Sequence, residues 1–136
     1  LWRLTRAEKE TGRFIKFCLV GLSGGVVNLG ILALLTELAG VFYAFSNAVA
    51  VELSIINNFA WNEVWTFRDR RISTHRSITG RMMKFNLVCL AGFGINEGTL
   101  ILFTEAAGLY YILSAIVGII AATLFNFILN KWWTWQ

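Results

Sequence analysis

The sequence predicts an all-α membrane protein with four transmembrane helices, arranged as two parallel tandem two-helix repeats. Three observations support this fold class. The chain of 136 residues is 57% hydrophobic and 15% charged, which is more apolar side chain than a soluble domain of this size can bury. The apolar residues form four runs of about 20 residues, each long enough to span a bilayer. Residues 13–67 also align with residues 81–135 without a gap, at a constant offset of 68.

The internal repeat rests on residue types that would not match by chance in an apolar chain. The matched pairs include Gly24/Gly92, Asn28/Asn96, Glu37/Glu105, Asn58/Asn126, Asn62/Asn130 and Trp65/Trp133. We therefore expect a single transmembrane domain over 1–136, with repeat unit one at 13–67, repeat unit two at 81–135 and a cytoplasmic connector at 68–80. An even number of spans per unit makes the two units parallel, related by a pseudo-twofold axis along the membrane normal.

The four predicted spans follow in chain order and alternate with short polar connections. They cover Phe14–Thr36, Phe42–Trp61, Met82–Thr104 and Leu109–Asn130. The chain contains no proline, so no span is kinked by that residue. Leu1–Gly12 precedes the first span, and we expect it to form an interfacial helix.

Basic residues predict the orientation in the membrane. All twelve Lys and Arg residues fall on one side of the predicted spans: Arg3, Arg6, Lys9, Arg13, Lys16, Arg68, Arg70, Arg71, Arg76, Arg81, Lys84 and Lys131. The two short connections, 37–41 and 105–108, carry one Glu each and no positive charge. By the positive-inside rule both termini and the middle connector are cytoplasmic. We expect a multi-pass protein of the plasma membrane.

The charge pattern and the residue inventory also limit the partners and the chemistry. The pI of 9.4 arises from residues that flank the spans, which predicts contact with anionic membrane lipids and disfavours nucleic acid as a ligand. The sequence shows no nucleophile with an adjacent base, no metal-ligand cluster and no phosphate-binding loop. We therefore expect a protein that is not an enzyme and that has no catalytic residues, no cofactor and no metal.

Polar residues within the apolar runs are candidates for a functional site. Glu52 and Glu97 lie roughly 13 and 12 Å from the far interface at 1.5 Å per residue, in the same slab as Asn28 and Asn96. An intramembrane carboxylate costs on the order of 2–3 kcal/mol, which favours a functional or water-lined site. Small residues elsewhere in the spans favour helix packing, whereas the Asn side chains fit packing and ligand binding equally well. Both alternatives stay open for the Asn residues.

The ends of the second and fourth spans share a signature. Residues 57–68 read NNFAWNEVWTFR and residues 125–135 read FNFILNKWWTW, which gives a common pattern N-F-x-x-N-x-x-W-T-(F/W). RFIKF at 13–17 and RMMKF at 81–85 begin the two units. With these motifs the chain resembles the GtrA-like family of four-span membrane proteins, over nearly its whole length after residue 12.

This resemblance implies a function with polyprenyl-phosphate-linked sugars in cell-envelope polysaccharide biosynthesis. Members of the family are thought to flip the lipid-linked sugar across the membrane, and similar modules form the membrane domain of some polyprenol-monophosphate-mannose synthases. The predicted phosphate-binding cations are Arg13, Lys16, Arg81, Lys84, Arg68 and Lys131. The predicted sugar-binding residues are Glu52, Glu97, Asn28, Asn96, Asn58, Asn62, Asn126, Asn130, Trp65 and Trp133. Topology determination and interfacial anchoring are the alternatives for the cations and the Trp residues.

Three functions are weighed on this basis. Translocation of a polyprenyl-phosphate-linked monosaccharide, by a homo-oligomer, is preferred. The alternative is a non-transporting scaffold that recruits a glycosyltransferase partner, in which Arg70, Arg71 and Arg76 matter and the carboxylates are dispensable. A small-multidrug-type cation exporter is disfavoured because the Lys/Arg asymmetry forbids dual orientation.

Overall fold

Helices make up the chain wherever its structure is described. The computed structural model describes residues 5–73 and 77–136, and within these ranges it contains no strand, which confirms the all-α class. Arg3 and Arg76 of the orientation argument lie outside the described residues. The helices are α1 (Arg6–Ala33), α2 (Tyr43–Trp61), α3 (Arg68–Ser73), α4 (Ile78–Ile101) and α5 (Tyr111–Leu129). Each of the four long helices continues into a π-helical turn, at Leu34–Leu38, Asn62–Thr66, Leu102–Ala106 and Asn130–Thr134.

Polar caps define where the first helix of each pair begins. Thr5 and Glu8 form a capping box: the Thr5 N–H donates to Glu8 Oε2 at 2.6 Å and the Glu8 N–H donates to Thr5 Oγ1 at 3.3 Å. Ser77 Oγ accepts from the Gly80 N–H at 3.1 Å before α4. These bonds satisfy backbone donors that a helix start leaves open. As a result α1 is continuous from Arg6, so the described part of the expected interfacial helix is the first turns of α1.

A glycine reverses the chain between the two long helices of each pair. Gly40 has φ 66° and Gly108 has φ 68°, in the left-handed region that glycine enters without steric cost. The Val41 N–H donates to the Leu35 carbonyl at 2.9 Å, and the Leu109 N–H donates to the Phe103 carbonyl at 3.0 Å. This six-residue closing bond is typical of a Schellman-type helix end. Each pair is therefore a tight antiparallel hairpin.

The chain divides into two compact units, Leu1–Ser73 and Thr74–Gln136, called unit 1 and unit 2 below. In unit 1, α1 packs along α2, and the Phe17 and Phe67 rings meet edge to face at 6.4 Å. In unit 2, α4 packs along α5, and Phe85 meets Trp135 in the same way at 5.7 Å. These aromatic pairs occupy equivalent positions at the offset of 68.

Close helix contact within each unit depends on glycine. A Cβ at Gly24 would overlap the Asn58 amide, and a Cβ at Gly92 would overlap the Asn126 amide. In unit 1 the Ser54 hydroxyl also donates to the Gly24 carbonyl at 2.7 Å. The small residues therefore allow the backbones to approach, as expected for helices in a membrane.

Three stretches of the described chain are long and apolar enough to cross a bilayer. They are Arg6–Leu38, Ile78–Ala106 and Tyr111–Thr134. The fourth predicted span, α2, has the 19-residue length of α5. Its Asn47, Glu52 and Asn57 lower the hydropathy, because the equivalent residues of α5 are Ala, Ile and Phe. The fourth span, the parallel arrangement and the orientation of the termini stay predictions.

Candidate functional site

A groove rich in charged residues lies in unit 1 between the start of α1 and the chain that follows α2. It has a volume of about 800 Å³ and is called the basic groove. Its lining residues are Glu8, Lys9, Gly12, Arg13, Lys16, Val64, Trp65, Thr66, Arg68 and Asp69. Three of the predicted phosphate-binding cations and one of the two predicted Trp residues therefore lie together.

The two tryptophans of the shared signature each contact a lysine. Lys16 Nζ lies 5.4 Å from the Trp65 ring centroid in unit 1. In unit 2, Lys84 Nζ lies 4.9 Å from the Trp133 ring centroid and also donates to the Trp133 carbonyl at 3.2 Å. A cation over an indole face is attracted by the ring quadrupole. The pairing holds each lysine at a fixed place without neutralising its charge.

Arg13 differs from the other cations of the basic groove because two carboxylates already neutralise its charge. Its guanidinium forms ion pairs with Glu10 and Asp69, both at 2.6 Å, and lies 5.9 Å from the Phe67 ring centroid. Within residues 5–73, Lys9, Lys16 and Arg68 form no ion pair. These three side chains are the ones available to an anionic ligand, and Arg13 holds α3 against α1.

Next along α3, Arg70 is half-buried beside this ion pair. Burial lowers the pKa of the Arg70 guanidinium, and the nearby Arg13 lowers it further. Both effects disfavour the charged form, whereas Glu10 and Asp69 support it. An arginine starts from so high a pKa that it keeps its charge at neutral pH, so this end of unit 1 stays strongly basic.

An apolar groove in unit 1 shares lining residues with the basic groove. It has a volume of about 510 Å³, is called the tryptophan groove, and is lined by Leu19, Val20, Ser23, Trp61, Val64 and Trp65. Val64 and Trp65 line both grooves. Together the two grooves offer positive charge at one end and an apolar wall at the other.

A buried hydroxyl at the basic groove lacks a partner in the described structure. Thr66 is 4% exposed, and its Oγ1 makes no hydrogen bond within residues 5–73 and 77–136. The equivalent Thr134 donates to Asn130 Oδ1 at 2.7 Å. Buried polar atoms are nearly always hydrogen-bonded in folded proteins, so the unsatisfied Thr66 marks a difference between the two units at this groove.

The remaining predicted cations, Arg81, Lys84 and Lys131, lie in unit 2. Arg81 is buried in α4, with 6% of its surface exposed. Lys131 Nζ lies 4.9 Å from the ring centroid of the neighbouring Trp132. Their role in binding phosphate stays a prediction, as does that of Lys84.

Most of the Asn side chains that were predicted to bind a sugar lie in helix contacts or at helix ends. Asn58 and Asn126 lie against Gly24 and Gly92, and Asn96 lies against Gly118. Asn62 and Asn130 are buried in the π-helical turns after α2 and α5, and Asn28 is half-buried on α1. Their packing role is observed, and their binding to a sugar stays a prediction.

The two carboxylates that the sequence predicts within the membrane belong to different units. Glu52 is exposed on α2 of unit 1, and Glu97 is half-buried on α4 of unit 2. The polar route expected from these residues stays a prediction. No group of three or more His, Cys, Asp or Glu side chains that could hold a metal ion occurs in the part of the chain that is described.

Sequence analysis did not identify a polar pair beside the tryptophan groove. Asn57 Nδ2 donates to Ser23 Oγ at 3.1 Å, across the contact between α2 and α1. The equivalent residues in unit 2 are Phe125 and Ala91. The absence of polar residues at the equivalent positions of unit 2 is a sequence signal that could have identified this pair. Lys9, Thr66 and Asp69 were not predicted as site residues: Lys9 was interpreted through topology alone, and Thr66 and Asp69 join the groove because the chain after α2 returns beside α1.

Comparison with known proteins agrees with the shared signature. The family model described as GtrA/DPMS, transmembrane domain, matches residues 16–135. The chain is 39% identical over 137 residues to a dolichol-phosphate mannosyltransferase of Pyrococcus furiosus, covering 99% of this chain and 37% of that protein. It is 29% identical over 118 residues to the uncharacterized membrane protein YngA of Bacillus subtilis, covering 87% of this chain and 76% of that protein. The chain thus spans little more than a third of the mannosyltransferase, and it belongs to the GtrA/DPMS transmembrane domain family.

Proposed function

We propose that this chain binds a polyprenyl-phosphate-linked sugar at the basic groove and moves the sugar across the plasma membrane for cell-envelope polysaccharide biosynthesis. The observation that supports this function is the continuity of the basic groove with the tryptophan groove through Val64 and Trp65. A lipid phosphate needs cations at the headgroup level, and its polyprenyl tail needs an adjoining apolar surface. Unit 1 offers both within one pair of helices.

The groove has the charge and the donors that a phosphodiester requires. Four cations and two carboxylates line it, and one of the cations, Arg13, is already paired. Lys9, Lys16 and Arg68 would form the charge-assisted hydrogen bonds to phosphate oxygens. The unsatisfied Thr66 hydroxyl would add a neutral donor. The chain itself carries out no chemical step in this proposal.

The proposed topology follows from the same cations. We place the basic groove at the cytoplasmic surface, with α1, α2, α4 and α5 as four spans and both termini cytoplasmic. The hairpin of α1 and α2 supports α2 as a span, because α1 is long and apolar enough to cross and α2 packs along it. The two units would then cross the membrane in the same sense, and Glu52, Glu97, Asn28 and Asn96 would line the route. We propose that the chain works as a homo-oligomer, because four helices form a thin barrier around a sugar.

Reconstituted transport tests this function. Purified protein in proteoliposomes receives a labelled polyprenyl-phosphate mannose, and an impermeant oxidant reports how much of it reaches the opposite leaflet. We expect protein-dependent exposure that is at least about tenfold slower in Lys16→Met, since a lost charge-assisted hydrogen bond costs about 1.5–3 kcal/mol. Arg71→Gln removes a charge that does not line the groove and is expected to transport normally. Absence of protein-dependent exposure would refute translocation.

A second function is favoured by one comparison. The matched relative named dolichol-phosphate mannosyltransferase contains the equivalent of nearly this whole chain within a protein almost three times as long. On this view the basic groove holds the carrier lipid for a glycosyltransferase, and the chain acts as an anchor or scaffold. Binding of polyprenyl phosphate without exchange between leaflets, together with higher activity of a co-reconstituted transferase, would support the scaffold over the translocator.

A further inference from the structure

A second groove with polar residues lies at the opposite end of unit 1. It has a volume of about 670 Å³ and is called the distal groove. The end of α1, the π-helical turn Leu34–Leu38 and the start of α2 form it, and its polar lining consists of Thr36, Glu37, Tyr43 and Asn47. No lysine or arginine lines it. Its volume is in the range of small-molecule sites.

The distal groove and the basic groove are separated by about the thickness of a membrane. Lys16 lines the basic groove, and the distal groove begins at Leu29 and extends to Thr36 on the same helix. At 1.5 Å per residue these positions lie roughly 20 and 30 Å from Lys16 along the helix axis. The hydrocarbon core of a bilayer is about 30 Å thick. One helix pair thus carries a groove near each membrane surface.

The chemistry of the distal groove suits uncharged hydroxyl groups and opposes phosphate. Glu37 accepts hydrogen bonds from hydroxyls and repels an anion, and the Asn47 amide both donates and accepts. Tyr43 is 65% exposed, so its ring offers a flat apolar surface to the C–H face of a sugar. Thr36 Oγ1 is buried and makes no hydrogen bond in the described ranges, as is also true of the equivalent Thr104 Oγ1.

The space of the distal groove depends on small residues that unit 2 lacks. Ala33 and Ala44 line it, whereas the equivalent residues of unit 2 are Ile101 and Ile112. Asn47 is likewise replaced by Ala115. Thr36, Glu37 and Tyr43 have the same residue type at their equivalents, Thr104, Glu105 and Tyr111. Unit 1 therefore has room and an extra amide at a place where unit 2 carries larger apolar side chains.

We propose that the distal groove binds the sugar of a polyprenyl-phosphate-linked sugar at the far side of the membrane, and that Glu37, Tyr43 and Asn47 make the contacts. This inference rests on the proposed function, because it assigns the second headgroup site of the same lipid. The ligand class is a neutral hexose attached to a lipid phosphate. A free hexose carries the same hydroxyl groups, so the experiment separates the two sources.

Photo-crosslinking with two probes tests the assignment on the full chain in proteoliposomes. Both probes are short-chain polyprenyl-phosphate mannose, with a diazirine either on the sugar or on the first isoprene unit. Labelled peptides are identified by mass spectrometry. We expect the sugar probe to label residues 29–47 in addition to residues 8–16 and 64–69 of the basic groove, and the isoprene probe to label residues 19–23 and 61–65 when the phosphate lies in the basic groove. Excess unlabelled lipid should remove both signals, whereas free mannose at the same concentration should remove neither.

Two variants separate binding from a general loss of structure. Ala33→Ile combined with Ala44→Ile gives unit 1 the residues that unit 2 already has at these positions, and should abolish sugar-probe labelling of residues 29–47. Isoprene-probe labelling at residues 61–65 should persist, which shows that the protein is folded and still binds the lipid. Val26→Ile adds a methylene on an exposed part of α1 outside the groove and should change neither signal.

The alternative outcomes are distinct. Sugar-probe labelling confined to residues 8–16 and 64–69 would overturn the distal sugar site and leave the proposed binding at the basic groove intact. Displacement by free mannose would overturn the assignment to a lipid-linked sugar. Absence of competable labelling by either probe would overturn the proposed function as well as this inference.

Discussion

The substitution Gly24→Ala is the most direct test of the contact between α1 and α2. A methyl group at this position would overlap the Asn58 amide, whereas a methyl group at the neighbouring Gly25 meets no atom within 4 Å. The two helices would have to separate, or Asn58 would have to leave its position. Separation would also stretch the 2.7 Å hydrogen bond from the Ser54 hydroxyl to the Gly24 carbonyl.

The expected loss in the free energy of unfolding follows from a comparison of Gly24→Ala with Gly25→Ala. Both gain about 0.5–1 kcal/mol of helix propensity over glycine, so this contribution cancels in their difference. What remains is overpacking at Gly24, which costs about 1–3 kcal/mol. A change of 1 kcal/mol shifts the melting temperature of a chain of this size by about 3–5 °C. We therefore expect Gly24→Ala to melt several degrees below Gly25→Ala.

Thermal unfolding of the purified variants, followed by intrinsic fluorescence in one detergent, provides the measurement. Gly25→Ala serves as the matched control because it lies on the same helix one residue away. Equal melting temperatures for the two variants would show that a methyl group at Gly24 costs no stability, and would contradict the close contact of α1 with the Asn58 amide of α2.

Two further predictions concern polar side chains. Glu52→Gln and Glu97→Gln are expected to slow transport in proteoliposomes without lowering the melting temperature, because they replace a carboxyl group on the proposed route and not a packing contact; normal transport by both variants would place the route elsewhere. Thr134→Val is expected to lower the free energy of unfolding by about 1 kcal/mol, because it removes the hydrogen bond to Asn130. Thr66→Val removes no such bond and should weaken only lipid binding. Equal melting temperatures for these two valine variants would refute the difference between the units.

The sequence was sufficient to predict the helical class and the family because both depend on local patterns. Apolar runs predict long helices, and the repeated Asn and Trp positions identify the family. The fourth span is harder to establish for a physical reason. Glu52 and Asn57 are polar residues of functional interest in α2, and the same side chains lower the hydropathy of this helix. Hydropathy alone therefore does not identify α2 as a span.

The composition of the basic groove could be predicted only in part. Arg13, Lys16 and Arg68 were expected near one surface, and the hairpin brings them together because the end of α2 returns beside the start of α1. The ion pair between Arg13 and Asp69 joins residues 56 positions apart, which no local pattern reveals. The burial of Arg81 depends on side-chain packing in the same way.

Equilibrium binding of polyprenyl phosphate to the purified protein is the most direct test of the central claim, that the basic groove and the adjoining tryptophan groove of unit 1 bind a polyprenyl phosphate. The measurement compares polyprenyl phosphate with the phosphate-free polyprenol of equal length, using wild-type protein, Lys16→Met and the Arg71→Gln control. The account predicts that removing the phosphate or the Lys16 charge weakens binding by at least about tenfold, and that Arg71→Gln binds as the wild type does. Equal affinity for the alcohol and the phosphate, or unchanged affinity in Lys16→Met, would contradict it.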